Sequence, residues 1–240
     1  MSIIVNGKLT IPLYHGTSDL FYESIRQVGL GGRNLIRKLR VVELLRELIT
    51  FCETKLPNEE QWLLRMQAAG WIARQHVSRG GLNFRHGSVY LTPSHYTATN
   101  YATSNEYGSE ALEHFMMLWN RLRENQINLP PDISDGAQLI IDFAERPRVP
   151  ILIKVVGVPE TILAAEKGGP ASDVFERIEQ LGQKSSVSTM CQQENFELLE
   201  PIPIHRVEIY RIVKPSRNPD EEPLLATYRT DWRTAGIDEN

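Results

Sequence analysis

The stretch Leu9-Thr10-Ile11-Pro12-Leu13-Tyr14-His15-Gly16-Thr17-Ser18 changes character halfway along. Residues 9–14 are apolar enough for a short strand. Then the small residues of His15-Gly16-Thr17-Ser18 form a turn that opens a segment of helical period. Leu20, Ile25 and Val28 give that segment its apolar face, and Gly29 with Gly31-Gly32 closes it. The preceding residues, Met1 to Lys8, read as strand rather than as a cleaved signal, because Asn6, Gly7 and Lys8 interrupt the apolar run.

Outward from this point, the periodicity predicts two helices, about Leu35 to Lys55 and about Glu59 to Arg79. The first carries Leu39, Val42, Leu45, Leu48 and Ile49 on one stripe. Gly87 to Thr92 alternates as a strand that Pro93 stops, and helices are expected over Ser94 to Tyr107 and Ser109 to Gln126. Asn128 to Gly136, with Pro130-Pro131, reads as a loop. Strands are expected at Gln138 to Phe143, Ile151 to Val158, Phe196 to Leu199 and Arg206 to Val213, with a helix near Ser172 to Leu181. Helices lead and short strands follow, which predicts an α+β domain over residues 1–214. It carries a helical insertion at about 35–80 and a polar tail over 215–240, whose Leu-Leu-Ala-Thr-Tyr-Arg-Thr-Asp-Trp segment packs loosely on the domain.

The 240 residues suffice for one substantial core. A hydrophobic share of 41% and a charged share of 23% are ordinary for a globular chain, and no apolar run is long enough to span a membrane. Cys52 and Cys191 lie far apart with no metal-ligand spacing near either, so neither a metal site nor a disulfide framework is expected, and a reducing, cytoplasmic setting fits. The net charge of -4 argues against a broadly basic nucleic-acid binder. Even so, eleven Lys and Arg stand against five Asp and Glu between Arg26 and Arg85, with Arg33, Arg37, Lys38 and Arg40 close together. That cluster is either a solvated helix face or a site for an anionic partner.

Three stretches carry the chemistry. In the first, Gly16 lets backbone approach a flat ligand and offers its N–H and C=O to an amide. In the second, Tyr90 leaves a strand and Tyr101 sits on the next helix, so the pair either fills the core or holds an aromatic ring between its two faces. In the third, Glu194-Asn195-Phe196-Glu197-Leu198-Leu199-Glu200-Pro201 sets a carboxylate at the head of an apolar strand, where it could stabilise positive charge developing on a sugar.

Together and in this order, His15-Gly16-Thr17, Gly29-Leu30, Gly87-Ser88-Val89-Tyr90, Tyr101 and Glu197 resemble the His-Tyr-Glu branch of the ADP-ribosyltransferases, which includes diphtheria-type toxins and poly(ADP-ribose) polymerases. The resemblance covers the core elements and not the insertion. It implies a split β-sheet core and an NAD-dependent glycosyltransferase that places ADP-ribose, as a single unit, on a protein or nucleic-acid acceptor and releases nicotinamide. It further implies that NAD is substrate and nucleotide ligand, with no metal. His15 would bond the adenosine ribose, Gly16 the nicotinamide carboxamide, and Thr17 would add a hydroxyl to that amide. Tyr101 and Tyr90 would enclose the nicotinamide ring, and Glu197 would bind the hydroxyl of its ribose. Glu194, which closes Gln192-Gln193-Glu194, competes for the catalytic role, but Glu197 is favoured because the strand should begin directly after the catalytic residue.

The chain departs from the polymerase-like pattern at Ala98, where a serine would bond the nicotinamide amide, so those contacts differ. By analogy, a toxin or defence effector with an inhibitory partner protein fits a compact chain. An RNA 2′-phosphotransferase shares the Tyr-His-Gly-Thr start and would draw on His76, His86, Arg79 and Arg85. A binding module without turnover is the third reading.

Overall fold

Asn6 and Gly7 both take left-handed backbone conformations, with φ of 51° and 70°, the geometry a tight two-residue hairpin turn demands. The N-terminal run is therefore not one strand. It folds back as β1 (Ile4–Val5) against β2 (Lys8–Leu9). The computed structural model describes residues 2–56, 60–75, 88–181, 191–213 and 229–232.

The chain mixes helices with small antiparallel sheets. β3 (Leu13–Ser18) forms one edge of a four-stranded sheet and pairs with β5 (Pro150–Val155). β5 pairs in turn with β8 (Val207–Val213), and β8 with β9 (Arg229–Trp232). The segment expected to pack loosely at the C-terminus thus contributes a strand by main-chain pairing, Tyr210 opposite Trp232, and the sheet does not end at 214. The second sheet is β4 (Tyr90–Leu91), β7 (Phe196–Leu198) and β6 (Leu163–Ala165), in that order. The two sheets touch where Tyr14 and Thr92 exchange backbone hydrogen bonds, each 2.8 Å long.

His15-Gly16-Thr17-Ser18 lies within β3 and is not a turn after it. A short 3-10 turn, Asp19–Phe21, capped by the Ser18 side chain, leads into α1 (Tyr22–Val28). Gly29 ends that helix with φ of 83°, and a Cβ there would stand 2.5 Å from the Ile202 carbonyl oxygen, so only glycine fits. The helix expected from Leu35 to Lys55 is broken at Arg40, whose φ of 54° separates α2 (Leu35–Lys38) from α3 (Val41–Lys55). α4 (Glu60–Ala73) follows; the end expected near Arg79 lies outside the described residues.

α5 (His95–Ser104) begins at Ser94, whose hydroxyl accepts from the Thr97 N–H. α6 (Glu110–Glu124) is followed by α7 (Pro131–Ala144), which replaces both the expected loop and the expected strand at Gln138 to Phe143. Pro131 is its first residue, where a missing N–H costs nothing, and Ile133, Ala137, Ile140, Ile141 and Ala144 bury one helical face. α8 (Ala171–Leu181) packs against the second sheet.

Two cores result. Buried side chains from α2, α3, α4, α6 and α7 form a helical core around Leu45, Leu48, Leu112, Phe115 and Ile140. Leu13, Leu91, Ile153, Phe175 and Phe196 anchor the other, where the Phe175 and Phe196 rings stack at 4.4 Å. The expected insertion is thus half of a helical core that α6 and α7 complete. Among the described residues no helix is long and apolar enough to cross a membrane.

Candidate active site

Beyond the pairing of Tyr14 with Thr92, no strand among the described residues pairs with that edge of β3. Backbone groups alternate along an antiparallel strand, and the Tyr14 amide and carbonyl point away from β5. Gly16, two residues on, therefore aims its own N–H and C=O from the same edge. A cleft of about 580 Å³ lies there, between the sheets.

Helix α5 forms one wall. A Cβ on Gly16 would lie 1.8 Å from the Ala98 carbonyl oxygen, so the missing side chain lets α5 press against β3. That contact brings Ala98 and Tyr101 to the cleft. Burial raises the Tyr101 phenol above its ordinary range, with nearby Glu110 adding to the effect, so the ring is neutral and hydrogen-bonded to the Glu110 backbone.

The second sheet supplies the opposite wall. Tyr90 stands directly across from Glu197 in the β4–β7 register, so both side chains project from one face. The Ser88 hydroxyl donates to Glu197 Oε1 at 2.6 Å and fixes the carboxylate. Glu166 and Asn195 continue that wall, with Asn195 Nδ2 donating to Glu166 Oε2 at 2.8 Å. Glu110, at the start of α6, faces Glu166; burial first, and then that neighbouring charge, raises its carboxyl pKa.

His15 joins the walls. Its half-buried ring holds Nδ1 2.8 Å from the Tyr90 carbonyl oxygen. Burial lowers its pKa below 6.5, outweighing the opposing effect of that bond. A neutral ring that donates through Nδ1 keeps Nε2 as an acceptor.

The cleft thus gathers His15, Gly16, Thr17, Tyr90, Tyr101 and Glu197, drawn from four elements. The Thr17 hydroxyl donates to the Gly108 carbonyl at 3.0 Å and so ties down the turn before α6. Glu194 is not among the cleft-lining residues and instead faces Lys167, 3.8 Å away. Sequence reasoning missed Glu110 and Glu166, which reach the cleft from a helix start and a strand end and belong to no short motif. It noted Arg33 and Arg37 as part of a cluster that is either a solvated face or a site for an anionic partner; both line the cleft.

His76, Arg79, Arg85 and His86, which a phosphotransferase would use, lie outside the described residues. Among the described residues no group of three His, Cys, Asp or Glu side chains could hold a metal ion. The chain matches no family model, no curated protein and no solved structure.

Proposed function

We propose that the chain is an NAD-dependent ADP-ribosyltransferase of the His-Tyr-Glu type, built on that family's split-sheet arrangement. The observation that carries this reading is the cross-strand pair of Tyr90 and Glu197, held by Ser88 and facing the free backbone edge of Gly16 across one cleft. Tyr90 and Glu197 follow His15 by 75 and 182 positions, and the β4–β7 pairing with the Tyr14–Thr92 contact brings both to the edge of β3 that carries Gly16.

In this reading the nicotinamide carboxamide pairs with the Gly16 amide and carbonyl, while Tyr101 and Tyr90 flank its ring. His15 Nε2 accepts from a ribose hydroxyl. Glu197 binds the hydroxyl of the nicotinamide ribose and sets negative charge beside C1′. The glycosidic C1′–N bond breaks and its electron pair leaves with nicotinamide. A lone pair of the acceptor then forms the new bond to C1′, and the acceptor's proton passes to water. The protein contributes orientation and a fixed charge that gains most in the transition state.

The reading is tested by incubating purified protein with NAD and measuring nicotinamide release, with and without cell lysate, alongside Glu197→Gln. Release that depends on Glu197 is the expected result; no release in either condition overturns the reading.

A further inference from the structure

We propose that the cationic strip on and around α2 is the docking surface for a single-stranded nucleic-acid acceptor. This deepens the transferase reading and rests on it. Arg33, Arg37, Lys38 and Arg40 fall within eight residues, and no Asp or Glu occurs between Glu23 and Glu43. The fold pins this strip in place. Ile36 is buried in the helical core, Leu35 and Leu39 pack against it, and the Asn34 side chain accepts from the Arg37 N–H at 2.9 Å. All four cationic residues are left exposed.

Several of the other described cations are paired with carboxylates. Arg26 meets Glu23 at 2.7 Å, Arg121 meets Glu124, Arg123 meets Glu145, Arg148 meets Glu106 and Lys154 meets Glu208. None of the four has a carboxylate ion-pair partner among the described residues. In a chain of net charge -4, four clustered cations left to solvent make a local field that attracts anions.

Position then narrows the anion. Arg33 and Arg37 line the cleft and can meet the pyrophosphate of a dinucleotide within it. Lys38 and Arg40, the next cations along the chain, are not among its lining residues. A ligand that engages all four needs phosphates repeated outside the cleft. The inner wall runs the other way in charge: Glu110, Glu166 and Glu197 present acceptor oxygens. An acidic peptide would be repelled there, whereas a nucleobase offers N–H donors to carboxylates while its backbone carries the negative charge. The base must leave any stack to enter a cleft of this size, which favours a single strand over a duplex.

The test is fluorescence anisotropy of labelled single-stranded DNA and RNA oligonucleotides of mixed sequence, without NAD, over a range of salt. A polyglutamate peptide serves as competitor. The wild-type protein is expected to bind one or both strands. Lys38→Ala with Arg40→Ala should weaken that binding about tenfold and reduce the salt slope by about 1.4, since each lost contact to a single strand is worth about 0.7. Arg121→Ala with Arg123→Ala, a control of equal charge, should leave it unchanged, and circular dichroism checks that each variant is folded.

Absence of binding to either strand, equal loss in both double variants, or equal competition by polyglutamate would each overturn the docking surface. Nicotinamide release measured on the same preparation separates the two conclusions. Release without oligonucleotide binding removes the docking surface alone, and binding without release removes the transferase reading.

Discussion

Glu197 is held from two sides, by its place opposite Tyr90 and by the bond from Ser88, so its charge and its direction can be tested separately. Glu197→Gln keeps the shape and removes the charge. Nicotinamide release should fall by about 100-fold or more, the scale of losing one preorganised electrostatic contact, with the thermal midpoint little changed. Glu194→Gln should retain activity, since that residue faces Lys167 and not the cleft; the reverse pattern would move the catalytic role to Glu194. Ser88→Ala leaves the charge but frees its direction, and a loss of about tenfold in kcat with KM nearly constant is expected. On the proposed reading His15 limits NAD binding on the acid side. Its native pKa lies below 6.5, so its stabilising contribution is complete above that value. As the pH falls from 6.5 towards the lowered native value, the unfolded chain binds the proton first and stability declines. Below the native value Nε2 becomes a donor and can no longer accept from a ribose. NAD affinity followed by titration calorimetry should drop in that acid range in the wild type, and a flat profile would exclude His15 from the contact.

At the scale of elements, the packing of α5 on β3 is what opens the cleft at the correct edge. Gly16→Ala puts a methyl group 1.8 Å from the Ala98 oxygen, and neither backbone can yield without moving a wall. A cost of about 1–3 kcal/mol is expected, with NAD affinity falling further than stability alone explains. A lowered midpoint in thermal unfolding together with unchanged affinity would show that α5 does not shape the site. The Gly16 and Tyr90 motifs were legible because each is short and local. Elements decided by distant partners were not. In α7, Leu139-Ile140-Ile141 and Phe143 have the composition of a strand, and only burial against α3 and α6 selects the helical face. The break at Arg40 has no glycine or proline to announce it. The three residues of β6 and the four of β9 are strands because β7 and β8 pair with them, which no periodicity in such short runs can reveal. Glu110 and Glu166 were hidden for the same reason: their meeting depends on where α6 and β6 dock.

Over the whole molecule, the question is whether the helical core is an appendage or part of the unit that shapes the cleft. Phe21 argues for the latter. It follows β3 by three residues, packs against both cores, lies edge-on to Phe143 at 5.7 Å and lines the cleft. Arg33 and Arg37 reach the cleft only because Ile36, between them and in the helical core, holds α2 down. Loosening the helices should therefore be felt at the site. Leu48 is fully buried at the centre of α3, far in sequence from the cleft motifs. Leu48→Ala should cost about 2–5 kcal/mol through lost burial and an unfilled cavity. If the two cores form one cooperative unit, denaturant unfolding of this variant followed by tryptophan fluorescence and by far-ultraviolet circular dichroism will give coincident transitions at a lower midpoint. On the proposed reading NAD binds only the folded chain, so it will then raise that midpoint by both probes alike. Two separated transitions, with the NAD shift confined to one, would mean that the helices fold on their own and that the β core holds the site without them.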